Sequence, residues 1–354
     1  MATAFRVGVT RDFLKADGTL GFGDINLGYL DENPQVEWEF LAENTTELRA
    51  DQVRDYDALL VLSPRVSAAT LAGSERLAIV ARFGVGYDTV DVEACTQAGA
   101  LLTITPDGVR RPVAHATIAF IMALSTRIFA KDRITRAGQW DDRFDHIGIG
   151  LTGRTLGLVG LGNIGRDVIN LIKPFGMRHI AFDPYTTPED AAASGVELVD
   201  LETVLSTSDF ISIHCPLTPQ TQGLINAERL ALMKPTAYLI NTARGPIVDQ
   251  AALTAALRDR RIAGAGIDVF EREPVDPNDP LLTLDNVIVA PHALCFTDEV
   301  ALGNGGSACR SILEVAAGRV PHNVVNRDVL DSAAFKAKLA RYGESTKYEL
   351  RSTK

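Results

Sequence analysis

The sequence predicts an α/β protein of two units, each organised around a parallel sheet. Three observations lead there. Its 354 residues exceed what one ordinary core of roughly 100 to 200 residues uses. Short apolar runs recur along it, bounded by turn residues and separated by segments of helical spacing, the pattern of strands buried on both faces of a parallel sheet. A glycine turn, Gly160-x-Gly162-x-x-Gly165, stands between one such run and a helical segment.

In chain order, residues 5–9, 58–62, 78–83 and 101–104 are the expected strands of a first unit. A second series is expected at 155–160, 179–182, 210–214, 237–241, 264–269 and 287–290. Polar groups cluster at or just past the carboxyl ends of this series, at Gly160, Asp183, His214, Asn241, Asp268 and His292. Open α/β sheets place their ligands at that edge. Between the two series Pro112 is expected to open a long connecting helix, because proline suits the first helical position and Val113, Thr117, Phe120, Ile121, Leu124 and Ile128 follow at helical spacing. A charged segment, 131–145, and a glycine-rich stretch, 147–153, lead into the second series. After Leu330 the chain turns polar, with weak helical character over 333–340, and is expected to be a mobile tail.

With 46% hydrophobic and 23% charged residues the chain has the balance of a globular protein and not of a disordered one. A net charge of −10 without a long basic run argues against a nucleic-acid partner. Cys95, Cys215, Cys295 and Cys309 lack C-x-x-C spacing, which fits a reducing cytoplasm, and no metal site is expected. No apolar run approaches the roughly 20 residues that span a bilayer, and the N-terminus lacks the pattern of a secretory signal, so no membrane partner is expected.

The glycine turn is a dinucleotide site in physical terms. Gly160 permits the tight turn, Gly162 lets backbone approach a pyrophosphate, and Gly165 lets helix pack on strand. The helix N-terminus, with Asn163 and Ile164 in its first turn, then offers free N–H groups to phosphate. Asp183 closes the next strand within the roughly 20-residue interval at which an acid meets an adenosine ribose. No arginine or lysine follows it in Pro184 to Glu189 to receive a 2′-phosphate, so NAD is the expected cofactor.

Five motifs stand in order: RFGVGYDTVD from Arg82, HCPLTPQT from His214, NTARGPIVD from Asn241, GIDVFEREP from Gly266, and APH ending at His292. Together they resemble the D-isomer-specific 2-hydroxyacid dehydrogenase family, which includes glyoxylate/hydroxypyruvate reductases and phosphoglycerate dehydrogenases, over roughly residues 55 to 327. The resemblance implies Arg244, Glu273 and His292 as catalytic residues. It implies two Rossmann-like domains, one flavodoxin-like and one dinucleotide-binding, with an interdomain cleft, in a homodimer. The matching division is a substrate-binding domain of residues 1–111 and 296–330, an NAD-binding domain of residues 112–295 with the connecting helix, and a tail of 331–354. The resemblance further places Val85 and Gly86 at the substrate carboxylate, Asp268 at the nicotinamide carboxamide, and Thr242 and Ala243 beneath the cofactor. His214, Cys215, Pro216 and Thr221 are expected to border it, Cys215 as a packed residue and not a nucleophile. For Val85 and Gly86 a turn that uses glycine for its conformation is an equally open reading.

The chemistry asks for the same residue types. Reduction of a 2-keto acid adds hydride to carbon and a proton to oxygen, so a group titrating near neutral pH must stand beside that oxygen, and His292 suits. A neighbouring carboxylate favours the imidazolium and fixes its tautomer, which is the role expected of Glu273. A guanidinium grips a carboxylate through two hydrogen bonds and stabilises charge on the carbonyl oxygen, the roles expected of Arg244.

The chain departs from the common family pattern at Leu294 and Cys295 after the histidine, and at Arg110, Arg111 and His115 in GVRRPVAH. Leu294 and Cys295 either face the substrate's carbon-3 group or pack inside the protein. The expected activity is hydride transfer between NAD(H) and a small 2-keto or D-2-hydroxy acid, with glyoxylate or hydroxypyruvate foremost. A same-fold dehydrogenase for another small acid and an NAD-sensing, corepressor-like binding protein are the alternatives left open.

Overall fold

The computed structural model describes residues 4–343. The chain divides into two compact units, one of residues 1–109 with 296–354 and one of residues 110–295.

The first unit holds five parallel strands, β1 (Phe5–Val9), β2 (Val36–Phe40), β3 (Ala58–Val61), β4 (Ile79–Arg82) and β5 (Leu101–Thr103), in the order β2-β1-β3-β4-β5. This is the flavodoxin-like order. Alternation along β3 sends Leu60 to one core, with Val7, Val9 and Ile312, and Leu59 and Val61 to another, with Val80 and Leu102. Both faces are therefore covered, as a parallel sheet requires.

Sequence reasoning omitted β2. VEWEF carries glutamate at every second position, and its half-exposed alternation marks a sheet edge and not the continuous apolar run of a central strand.

The second unit holds seven parallel strands: β6 (Thr155–Val159), β7 (Arg178–Phe182), β8 (Glu197–Leu198), β9 (Phe210–Ile213), β10 (Tyr238–Asn241), β11 (Gly264–Ile267) and β12 (Val287–Val289). Their order is β12-β11-β10-β9-β6-β7-β8. The chain runs outward from β6 to one edge, returns to β9 beside β6, and runs out to the other edge. The point of reversal, between β6 and β9, is where such sheets bind dinucleotides. The two-residue edge strand β8 carries too little pattern to be read from sequence.

Two expectations are corrected. The connecting helix α1 begins at Pro106 and runs to Thr126, so Pro112 lies inside it and does not open it. Proline there forgoes one hydrogen bond, to the carbonyl four residues earlier, but the remaining turns carry the helix through. The tail is also no loose appendage through residue 343, because 333–343 form a docked helix. This helix, α4 (Ala333–Gly343), follows α2 (Asn163–Ile172) and α3 (Asp298–Ala316) in chain order. Phe335 on α4 is 1% exposed. The Lys338 ammonium donates to the carbonyls of Ser74, Leu77 and Ala98 at 3.2, 2.8 and 2.6 Å, and the Tyr342 hydroxyl donates to Oδ1 of Asp57 at 2.6 Å. Three acceptors satisfy all three ammonium protons, which is what permits a buried lysine. Residues 344–354 of the expected tail lie outside the described residues.

Candidate active site

At the point of reversal Gly160 has φ +101°, and a Cβ there would stand 2.7 Å from the amide nitrogen of Cys215. Only glycine fits where β6 passes so close to the end of β9. Gly162 caps α2 and faces open space, with no atom within 4 Å of where its Cβ would lie. A Cβ on Gly165 would meet the carbonyl oxygen of Gly160 at 2.8 Å. The turn thus leaves room for a ligand beside the first N–H groups of α2, those of Asn163 and Ile164. Asp183 follows β7, and its two oxygens accept from Leu161 N at 2.7 Å and Tyr185 N at 2.8 Å. Its carboxylate is thereby fixed against the glycine turn. An open turn, a helix N-terminus and an anchored carboxylate fit the pyrophosphate and ribose of NAD.

Beyond β9, His214 Nε2 lies 2.9 Å from Ser212 Oγ, and burial pushes the imidazole down to about 4, so the ring is neutral near pH 7. Burial also pushes the Cys215 thiol up to about 11, which removes it as a nucleophile near neutral pH. Thr221 closes the loop, donating to Pro216 O at 2.6 Å and accepting from Thr218 N at 2.8 Å. Thr242 Oγ1 lies 3.1 Å from Thr117 Oγ1 on α1.

Past β10, Asn241 shapes the turn bearing Arg244. Its side chain accepts from Ala243 N at 3.0 Å and donates to Arg244 O at 2.9 Å, while Arg244 Nη1 donates to Ala243 O at 2.7 Å. Gly245 is required next, since a Cβ there would lie 1.9 Å from the Phe270 carbonyl. That contact sets the arginine turn directly against the segment leading to Glu273.

Glu273 Oε1 accepts from Phe270 N at 3.0 Å, and Oε2 lies 2.7 Å from His292 Nδ1. A carboxylate can only accept, so Nδ1 carries a proton and Nε2 is left as the ring's free nitrogen. Burial pushes the Glu273 carboxyl up, but the hydrogen bond and charge of His292, the Phe270 amide and the charge of Arg244 outweigh it and hold it below the ordinary glutamate range. Arg244, Glu273 and His292, 48 positions apart at the extremes in sequence, are thus electrostatically coupled at the carboxyl ends of three neighbouring strands.

Asp268, just past β11, is 3% exposed, and its Oδ1 accepts from both Ala293 N and Leu294 N at 3.0 and 3.1 Å. Sequence reasoning had no signal for these two bonds, which depend on how the chain turns after His292. Leu294 is partly buried against the core that holds Ile121, Leu158 and Ile240. Cys295 is half-buried, its thiol pushed up to about 11 by burial. Arg111 Nε stands 3.2 Å from the buried Asp167 on α2, while Arg110 and His115 are exposed.

In the first unit, Val85 and Gly86 are half-buried just past β4. Gly84, with φ +126°, donates its N–H to Thr105 Oγ1 at 2.8 Å, and Thr105 in turn donates to Asn304 on α3 at 2.8 Å.

A parallel sheet reversing at a glycine turn, with a histidine–carboxylate pair and an arginine at adjacent strand ends, defines an NAD-dependent oxidoreductase. Residues 118–293 match the family described as D-isomer specific 2-hydroxyacid dehydrogenase, NAD binding domain. A glyoxylate reductase from Korarchaeum cryptofilum is 39% identical over 297 residues, covering 83% of this chain and 90% of that one. A D-3-phosphoglycerate dehydrogenase from Methanocaldococcus jannaschii is 41% identical over 285 residues, covering 80% of this chain and 54% of that one. Among solved structures, D-lactate dehydrogenase from Aquifex aeolicus, complexed with NAD and lactic acid, superposes with a TM-score of 0.80 at 26% identity, covering 90% of this chain and 99% of that one. The chain belongs to the D-isomer-specific 2-hydroxyacid dehydrogenase family. It transfers hydride between NAD(H) and a small 2-keto or 2-hydroxy acid.

Proposed function

We propose that the chain reduces a small 2-keto acid, glyoxylate or hydroxypyruvate foremost, to the corresponding 2-hydroxy acid, of D configuration where carbon 2 is a stereocentre. The pairing of His292 Nδ1 with Glu273 at 2.7 Å, in the field of Arg244, carries this reading. NADH supplies the hydride. His292 donates the proton to the carbonyl oxygen, Glu273 orients the ring and favours its charged form, and Arg244 grips the substrate carboxylate while stabilising charge on the carbonyl oxygen.

Gly160, Gly162, Asn163, Ile164 and Gly165 cradle the pyrophosphate, and Asp183 takes the ribose hydroxyls. His214, Cys215, Pro216, Thr221, Thr242, Ala243 and Asp268 border the rest of the cofactor. Several relatives are named glyoxylate reductase, which favours that substrate. Following NADH absorbance with a panel of 2-keto acids tests the proposal. Glyoxylate or hydroxypyruvate should give the highest kcat/KM, and a panel in which no keto acid oxidises NADH rejects it.

We further propose a cytoplasmic homodimer without nucleic-acid or membrane partners. Trp140, Phe144 and Ile147 are about two-thirds exposed, and Ile128 and Phe129 more than half. Large apolar side chains gathered in one short stretch of surface favour a protein contact. Light scattering of Trp140→Glu/Phe144→Glu should report a monomer where the parent is a dimer, and an unchanged mass overturns this assignment.

A further inference from the structure

His292 is one of four non-glycine residues with positive φ among the described residues, at +54°. A side chain in that region is disfavoured and persists only where surrounding bonds hold it. Those bonds converge on one residue. The N–H of His292 donates to the main-chain carbonyl of Asp268 at 2.7 Å, and the next two N–H groups, of Ala293 and Leu294, donate to its Oδ1.

Asp268 is itself pinned, its N–H donating to Asn241 O at 3.0 Å. One register earlier, Ala290 N donates to Ile267 O at 2.9 Å in the ordinary manner of the sheet. Donors to one parallel neighbour alternate along a strand, so the next bond in step would run from His292 N to Val269 O. It reaches Asp268 O instead, and the register between the two chains slips by one residue as Asp268 gathers the displaced segment.

We propose that Asp268 is a positioning residue for His292, holding residues 292–294 through its carbonyl and one carboxylate oxygen so that the imidazole meets Glu273. This rests on the reading of His292 as proton donor, and it gives Asp268 a task separate from contact with the nicotinamide. An asparagine would supply the same acceptor. Aspartate adds a negative charge that is felt at His292, and burial pushes its carboxyl up, against the two amides that partly offset this. Clamping and charge are therefore separable by substitution.

Asp268→Ala removes the side-chain acceptor and Asp268→Asn keeps it while removing the charge. Each variant is assayed for kcat, for KM of NADH and glyoxylate, and for the low-field proton resonance of the His292 Nδ1–H bonded to Glu273. Asp268→Ala should lose that resonance and lower kcat by roughly 10², the smaller part of what an acid–base group supplies, in addition to any rise in KM for NADH from the lost cofactor contact. Asp268→Asn should keep the resonance and retain far more of kcat at acid pH, losing activity earlier as pH rises.

Two results overturn the proposal: Asp268→Ala that keeps the resonance and its turnover, or variants that raise KM for NADH with kcat intact. If Asp268→Ala fails to fold, Asp268→Asn decides alone, and loss of its resonance rejects the clamp. His292→Ala distinguishes the two levels. Retained turnover there sinks the proton-donor reading, while the resonance in Asp268→Ala and Asp268→Asn still tests the clamp.

Discussion

Oε2 of Glu273 sits 2.7 Å from Nδ1 of His292, while its other oxygen is held by the Phe270 amide. The carboxylate therefore cannot swing away from the ring without giving up a backbone bond. Glu273→Gln keeps the shape and removes the charge that favours the imidazolium, so the alkaline limb of the kcat/KM profile for keto-acid reduction should move to lower pH, with the acid limb little changed. An unmoved alkaline limb counts against the assignment. His292→Ala should lower turnover by roughly 10² to 10⁴.

Cofactor choice should follow Asp183, whose carboxylate is anchored at both oxygens beside the glycine turn. A 2′-phosphate would meet that charge with no basic residue in Pro184 to Glu189 to compensate. NADH should exceed NADPH in kcat/KM by at least roughly tenfold, equivalent to about 1.4 kcal/mol. A higher value for NADPH defeats this.

Leu294 packs against the core of the cofactor-binding unit, so its truncation should act first on stability. Leu294→Ala should cost about 2 kcal/mol, at the low end for a leucine because the side chain is only partly buried. Its effects on glyoxylate, hydroxypyruvate, pyruvate and a longer keto acid should be proportional. Cys295→Gly, assayed against the same acids, tests the neighbouring position. A selective gain for the longer acid in either variant would assign that side chain to the substrate pocket.

The buried Asp268 carboxyl gives a pH signature of its own. Its folded value is raised, so the stability it contributes is full below its unfolded value of about 3.9 and is lost as pH rises through the folded value. Asp268→Asn never ionises. Its melting temperature should exceed that of the parent at pH 7, with the gap closing as pH falls toward 4. Scanning calorimetry across that range would contradict the sign if the parent were the more stable at pH 7.

Much of this architecture is legible in the sequence because the second sheet is made of continuous apolar runs, such as TLGLV and FISI, that end in polar residues. The placement of Gly160, Asp183, Arg244 and His292 just past strand ends was legible because each follows such a run. VEWEF was missed since an edge strand exposes half its side chains. The start of α1 was misplaced because proline usually marks a first turn, whereas Pro112 lies within the helix. The Asp268 bonds escaped sequence reasoning for a different reason. They depend on a positive φ at a histidine, which no residue type announces.

The docking of α4 ties a late segment of the sequence to an early one, with Tyr342 bonded to Asp57 across 285 positions. The cofactor-binding unit, by contrast, is one uninterrupted stretch, residues 110–295. A ribosome releases the chain from its amino end, so that stretch can close its core while the strands β1 to β5 still wait for α3 and α4 to emerge. Contacts of such separation form slowly, because the loop must be closed before they reward it. During synthesis the apolar surface around Phe5, Leu60 and Ile79 is thus left without its last covering until α3 and α4 emerge, and their arrival decides when this unit stops needing protection from aggregation.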